Sequence, residues 1–207
     1  MKRRKFEGML ILWFIIIMMN IVFSTFYACM LLYHYRLSNN VAGGISLIVV
    51  FIISIIASIP LTFYLHESGH KLIYAVLGQK ATIRKVSFLR YITETPNKGF
   101  NDELAKRNPT ALIVLSLSGV ISSTLMSSIL SAITLVLAML TAYFNQYVIT
   151  FDRYMSLYVN STIIYPIGYL SIFAFAYNII LLAEFISTLW SKKSNTDGYK
   201  ARQVLSK

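Results

Sequence analysis

Apolar residues dominate four long stretches of the chain, and polar segments separate them. The hydrocarbon core of a bilayer is ~30 Å thick, so a helix needs about 20 consecutive apolar residues to cross it. Four stretches reach this length, at residues 9–33, 45–78, 111–142 and 161–190. The pattern predicts an all-α polytopic membrane protein with four transmembrane helices, organised as a single membrane domain over residues 1–207.

Basic residues are concentrated in three of the segments outside these stretches. The N-terminus, the segment 79–110 and the tail 191–207 hold four, seven and five of the 19 Lys and Arg residues, whereas the two other connecting segments hold only Arg36 and Arg153. Cytoplasmic loops carry an excess of Lys and Arg. The distribution therefore predicts a multi-pass cell-membrane protein with both termini in the cytosol.

The basic segment 79–110 has secondary-structure signals of its own. It contains ATIRKVSFLRYI, whose β-branched and aromatic residues favour a strand or hairpin. The sequence TPNKG that follows is typical of a turn, and NDELAKR predicts a short helix before Pro109. We therefore expect a small cytosolic β-hairpin-like segment after the second transmembrane helix.

The composition supports membrane insertion and excludes other classes of protein. Hydrophobic residues make up 57% of the chain, the mean hydropathy is +0.64 and charged residues are only 13%, about half their share in soluble domains. A net charge of +11 would suit nucleic acid or an anionic membrane. No polar domain is available to bind nucleic acid, so the expected partner is the lipid bilayer. Cys29 is the single cysteine, which excludes an intrachain disulfide and a cysteine-based zinc site.

The second apolar stretch contains the sequence HESGH near its end. His66 and His70 are four residues apart and project from nearly the same face of a helix, where both imidazoles can reach one metal ion. Glu67 is suited to accept a proton from water at zinc. An H-E-x-x-H pattern arises by chance in on the order of one in a thousand chains of this composition, and ionisable residues at membrane depth are usually functional. The motif predicts one Zn²⁺ per chain; the competing interpretation is an interfacial polar patch that includes Lys71.

A zinc hydrolase needs a third protein ligand and an open position for water. The third histidine, His34, falls at the outer end of the first span, on the wrong side of the predicted topology. An acidic residue must therefore supply the ligand. The candidates on the cytosolic side are Asp102, Glu103, Glu184 and Asp197.

Several features beyond this motif follow it in a definite order. HESGH is followed by a strand-like cytosolic segment, by a third span containing LSLSGVISS, and by a last span with Asn178 that leads to TDGYK. In these features the chain resembles the site-2 protease family of membrane-embedded zinc metalloproteases. The resemblance covers roughly residues 50–200. It implies that Asp197, in an Asp-Gly pair after the last span, is the third zinc ligand, and that the active site opens to the cytosolic half of the bilayer.

Some positions depart from the family's pattern. Leu181 stands where the family's Asn-x-x-Pro has proline, Val120 follows Gly119 in place of another proline, and the Asp-Gly pair comes later in the chain, so the tail must fold back to reach the metal. Glu184, inside the last span, therefore remains the alternative third ligand. Asn178 lies at membrane depth, where its amide is a candidate substrate-binding group or, equally, a helix-packing group.

Together these features predict a membrane-embedded zinc endopeptidase. His66, His70 and Asp197 are expected to bind zinc, and Glu67 is expected to be the general base. The substrates would be membrane-spanning or membrane-associated peptides, hydrolysed near the cytosolic face, where a substrate helix can unwind and water can enter. Two alternatives stay open: a non-catalytic immunity or regulatory membrane protein with a structural zinc site, and a small ion transporter that uses the His and Glu cluster.

Overall fold

A computed structural model of the chain describes residues 3–37, 41–87, 90–97, 99–148, 153–190 and 196–205. The described residues are mostly helical, with one small antiparallel sheet. The helices are α1 (Arg3–Leu37), α2 (Val41–Val76), α3 (Phe100–Arg107), α4 (Pro109–Val148), α5 (Arg153–Phe185) and α6 (Asp197–Leu205), and the strands are β1 (Thr82–Ser87) and β2 (Arg90–Glu94). The predicted fold class is confirmed.

Four of the helices are long and apolar enough to cross a membrane. Their candidate spans are Phe6–Thr25 in α1, Gly44–Val76 in α2, Pro109–Leu137 in α4 and Ile167–Leu189 at the end of α5 and beyond it. Large aliphatic side chains stay exposed along these spans. On α2, for example, Ile48, Ile52 and Ile56 recur every four residues and are each more than half exposed, which is unfavourable in water and expected of a surface that faces lipid.

The chain divides into two compact units, each made from parts of the four long helices. The first unit comprises Met1–Ile17, Ile59–Met126 and Ile180–Lys207, and the second comprises Met18–Ser58 and Ser127–Ile179. The first unit contains the HESGH motif, both strands, α3 and α6. It therefore contains all of the residues predicted to bind metal.

A buried polar network on α1, α4 and α5 holds the second unit together. The Asn178 side chain is fully buried, and its amide nitrogen donates to the main-chain oxygen of Asn20 at 3.3 Å and to the hydroxyl oxygens of Ser24 at 3.4 Å and Ser131 at 3.3 Å. Ser127 donates to the amide oxygen of Asn178. Hydrogen bonds of this kind between membrane helices contribute about 0.6 kcal/mol each. These contacts suit a packing role for Asn178, and contact with substrate stays a prediction.

The two strands of the first unit form a hairpin that packs against the motif-bearing part of α2. The strands are antiparallel, with Thr82 opposite Glu94 and an irregularity between Lys85 and Ser87. Thr93 of β2 donates its hydroxyl to the main-chain oxygen of Glu67 at 2.9 Å. This contact anchors β2 beside the second residue of the motif, and the hairpin expected after the second span is confirmed.

A small apolar core joins α2, α3 and α4 one helical turn after the motif. Tyr74, Leu104, Leu112 and Leu115 are buried together, and the Tyr74 hydroxyl donates to the side-chain oxygen of Asn101 at 3.0 Å. The chain leaves α2 through Gly78, whose φ of 73° is readily adopted by glycine at a helix end. The core fixes the end of α2 against the start of α4, which carries the groups that support the motif.

Candidate metal centre

Two imidazoles and one carboxylate converge within the first unit. The helical spacing of His66 and His70 brings their Nε2 atoms to 3.0 Å from each other. Asp197, the first residue of α6, places its Oδ2 atom 3.3 Å from each of these nitrogens. His66 is buried, and the other two side chains are partly buried. The three residues form a group able to hold a metal ion.

The separations within this group match the ligand spacing of a tetrahedral zinc site. Zinc bonds of ~2.0–2.1 Å in tetrahedral geometry place neighbouring ligand atoms about 3.3 Å apart. The observed separations are 3.0, 3.3 and 3.3 Å. Two nitrogens and one carboxylate oxygen also form a donor set that zinc accepts, with a fourth position left for water. The residues present therefore fit zinc.

The environment of His70 determines which of its ring nitrogens carries a proton. Its Nδ1 atom lies 2.8 Å from the main-chain oxygen of Leu115. A carbonyl oxygen can only accept a hydrogen bond, so Nδ1 is the protonated nitrogen of the neutral ring. The hydroxyl of Ser118 donates to the same carbonyl oxygen at 2.7 Å. The Nε2 lone pair of His70 is therefore directed into the group of ligand atoms.

His66 also turns its Nδ1 atom towards an acceptor, which here is a carboxylate in place of the carbonyl. Its Nδ1 atom lies 2.6 Å from Glu184 Oε1, and both side chains are almost completely buried. An ionised carboxylate only accepts, so Nδ1 again carries the proton and Nε2 keeps its lone pair. The two Nε2 lone pairs and the Asp197 oxygen then face one another. These three electron-rich atoms repel one another unless a cation lies between them.

The structure shows which of the four acidic candidates for the third ligand lies beside the two histidines. Asp197 joins the two histidines, whereas Glu184 lies on the opposite ring nitrogen of His66. Asp102 and Glu103 are exposed in the first turn of α3 and do not belong to the group. The alternative in which Glu184 contacts the metal directly is therefore not the arrangement observed.

Two glycines allow α2 and α4 to approach closely at the motif. A Cβ atom added to Gly69 would lie 2.1 Å from the main-chain oxygen of Ser118, and one added to Gly119 would lie 2.5 Å from His66 Nε2. Real Cβ atoms do not make such contacts. The LSLSG sequence therefore provides both the hydroxyl near His70 and the space that the ring of His66 occupies.

Replacing Gly119 with alanine is expected to weaken metal binding at least about tenfold, the lower end of what loss of ligand orientation costs. The added methyl would overlap the imidazole of His66 and displace its Nε2 atom. Zinc affinity of the purified protein, measured by competition with a chromophoric chelator, checks this. Gly44→Ala is the matched control, because a Cβ there would meet nothing within 4 Å. Equal zinc affinity in the two variants would contradict the close contact.

The tail folds back to bring Asp197 to the histidines. The last turn before the tail, Ile186–Trp190, is π-helical, and Gly198 packs so closely on the main-chain oxygen of Leu189 that a Cβ would lie 2.1 Å from it. Farther along α6, the Arg202 guanidinium lies 5.9 Å from the centre of the Phe6 ring, within the range of a cation–π contact. These contacts hold α6 in place and thereby position the carboxylate of its first residue.

Asp197 lies outside the membrane-spanning segments, and its surroundings keep it ionised. Burial alone would raise the pKa of its carboxyl, but when no metal is bound a protonated imidazole donates to it from Nε2, and these contacts with His66 and His70 outweigh the burial and hold the pKa well below its usual range. Lys200 adds a positive charge, with Nζ 3.5 Å from Asp197 Oδ1. An ionised carboxylate is the form that binds a metal.

Glu67 follows His66 on α2 and is half-buried. Its main-chain oxygen accepts from Thr93, and no hydrogen bond or ion pair holds its carboxylate among the residues that the structure describes. Its role as a general base stays a prediction. The side chain of His34 lies outside the described side chains.

Sequence reasoning missed the supporting groups from the third span. Leu115 acts through its main-chain carbonyl, which no side-chain pattern reveals, and the sequence analysis did not single out Ser118. The adjoining Gly119 was the available signal, since a glycine at membrane depth often marks a close approach. No family model, curated protein or solved structure matches the chain.

Proposed function

We propose that this protein is a membrane-embedded zinc endopeptidase that hydrolyses membrane-spanning or membrane-associated peptides. The observation that carries the proposal is the convergence of His66 Nε2, His70 Nε2 and Asp197 Oδ2 within 3.3 Å. Both Nδ1 atoms face acceptors, so all three converging atoms are free to bind a cation. The resemblance of HESGH and TDGYK to the site-2 protease motifs supports the same assignment.

The residues of the site have distinct roles in the proposed reaction. Zinc, when bound, acts as a Lewis acid and lowers the pKa of water towards ~7. Glu67 accepts the proton of the attacking water on its carboxylate and then delivers it to the nitrogen of the departing amine. His66, His70 and Asp197 would hold the metal, and catalytic zinc sites with three protein ligands keep a fourth position for water. H-E-x-x-H on a helix, with the glutamate as general base, is the arrangement expected of a metalloprotease.

The proposed location of the reaction is the cytosolic membrane boundary. The first unit contains the N-terminus, the segment between α2 and α4, and the tail, which are the three segments rich in Lys and Arg. By the positive-inside rule they face the cytosol, so both termini are cytosolic. A substrate helix is more easily unwound here than in the hydrocarbon core, where each exposed peptide group would lose its hydrogen bonds.

The hairpin is a suitable element to hold an unwound substrate. It is the only sheet among the described residues and has two strands, so each strand leaves one edge without a strand partner. β2 is anchored to the main-chain oxygen of Glu67 through Thr93. An extended peptide added to an edge of this sheet would form main-chain hydrogen bonds next to the proposed catalytic base.

Metal removal tests the proposal. The purified protein is expected to contain one zinc per chain and, in proteoliposomes, to cleave at least one member of a set of synthetic membrane-spanning peptides, with mass spectrometry identifying the products. Treatment with 1,10-phenanthroline should abolish cleavage, and added Zn²⁺ should restore it. Cleavage that persists in protein shown to be metal-free would overturn the metal-dependent mechanism. Bound zinc without cleavage of any peptide would favour the non-catalytic alternative.

A further inference from the structure

We propose that Glu184 is a positioning residue that orients His66 and supplies negative charge to the metal centre from the side away from the ion. The inference rests on the proposed metal site and goes beyond it, because it assigns a role to a carboxylate that the hydrolytic reaction does not itself require. The geometry that carries it is the 2.6 Å separation between His66 Nδ1 and Glu184 Oε1.

The burial of Glu184 requires an explanation. The residue is 3% exposed, lies within a membrane-spanning segment, and is followed by the fully buried Phe185. Neither carboxylate oxygen has a hydrogen-bond partner among the described residues, although Oε1 lies 2.6 Å from His66 Nδ1. A buried carboxylate is costly unless it is paired. The facing Nδ1 of His66, also without a hydrogen-bond partner, is the complementary donor.

The charge of the two carboxylates matches that of one divalent cation. Asp197 and Glu184 each contribute one negative charge, and the imidazoles are neutral when Nε2 binds metal. Lys200, about half exposed, pairs with the other oxygen of Asp197. A divalent ion would offset the charge of Asp197 by direct contact and that of Glu184 through the ring of His66. A carboxylate on the far nitrogen of a ligating histidine fixes the tautomer and the ring orientation and makes the ligand more basic.

The two histidines are thus supported differently. His70 donates to the neutral main-chain oxygen of Leu115, whereas His66 faces an anionic side chain. Replacing Glu184 with glutamine removes the charge and leaves an amide of nearly the same size. We expect this substitution to lower zinc affinity about 10–100-fold while one ion still binds per chain.

The experiment measures metal binding and coordination, without reference to hydrolysis. Zinc affinity of wild type, Glu184→Gln and Glu184→Asp is determined by chelator competition, and visible spectra are recorded after substitution with Co²⁺. We expect the Gln variant to bind more weakly with a nearly unchanged Co²⁺ spectrum, and the Asp variant, which keeps the charge on a shorter side chain, to be intermediate. Glu7→Gln, which removes an exposed carboxylate elsewhere in the same unit, is the control and should bind zinc as wild type does.

Other results would contradict either the role of Glu184 or the metal site itself. Unchanged zinc affinity in Glu184→Gln would overturn the inference and leave the proposed function standing. A clearly changed spectrum of the Co²⁺ that remains bound in Glu184→Gln would overturn it in another way, because Glu184 would then be a ligand. Failure of the wild-type protein to bind zinc would instead remove the metal site on which the proposed function depends. If Glu184→Gln does not fold, the Asp variant decides: affinity equal to wild type overturns the inference.

Discussion

Replacing Glu67 with glutamine will lower the rate of peptide hydrolysis by about 10²–10⁴-fold, the usual contribution of a positioned general base. The amide cannot accept the proton of the attacking water, yet its size is almost the same as that of the carboxylate. Glu67 is half-buried and its carboxylate has no hydrogen bond or ion pair among the described residues, so the substitution should disturb little else. Cleavage of a membrane-spanning peptide in proteoliposomes, followed with time by mass spectrometry, measures the effect.

The zinc content of Glu67→Gln is the essential control. It should equal that of wild type, because Glu67 does not belong to the group formed by His66, His70 and Asp197. Processing at the wild-type rate with zinc still bound would exclude Glu67 as the base. If wild type and variant both bind zinc and neither cleaves any peptide, the metal site serves stability or regulation.

Replacing Asp197 with alanine will weaken zinc binding by more than about 100-fold, the upper limit expected for loss of a group that only supports a ligand. The carboxylate is one of three converging ligand atoms, 3.3 Å from each histidine nitrogen. Its removal leaves two imidazoles, which is one protein ligand fewer than catalytic zinc sites use. Hydrolysis should disappear together with the metal. Zinc analysis after gel filtration, and chelator competition, provide the measurements.

Asp102→Ala is the matched control for Asp197→Ala, since Asp102 is an exposed carboxylate in the first turn of α3, within the same unit. It should retain zinc and activity. Full zinc occupancy in Asp197→Ala, with loss of zinc only when Glu184 is replaced, would show that Glu184 is the third ligand and that the tail does not reach the metal.

The sequence was sufficient to predict the four spans and the hairpin, because each depends on local pattern. Span length follows from bilayer thickness, and the β-branched residues of 82–87 favour a strand wherever that segment lies. The pairing of His66 with His70 was predictable for the same reason, since helical periodicity alone brings them together. Helix ends were less predictable: α4 runs to Val148, past the last residue expected for the third span.

The choice between Asp197 and Glu184 depended on contacts that no sequence pattern reveals. Sequence could only require that the tail fold back, whereas the fold-back itself uses a π-helical turn and the contact of Gly198 with the Leu189 carbonyl. Sequence reasoning likewise placed Glu184 inside the last span as the alternative ligand. It could not tell which nitrogen of His66 the carboxylate would meet, because that depends on how α2 and α5 are packed.

The attachment of α6 has a consequence for how the metal acts on the chain. His66 and Asp197 are 131 positions apart, so an ion bound to both closes a very long loop, as a crosslink does. Closing a loop in a flexible chain reduces the conformational freedom of its unfolded state. Here the helices inserted in the membrane already limit that freedom, so the ion would mainly restrain the tail. A zinc ion bound at the proposed site would therefore tie the C-terminal helix to the membrane helices, in addition to the contacts of Gly198 with Leu189 and of Arg202 with Phe6.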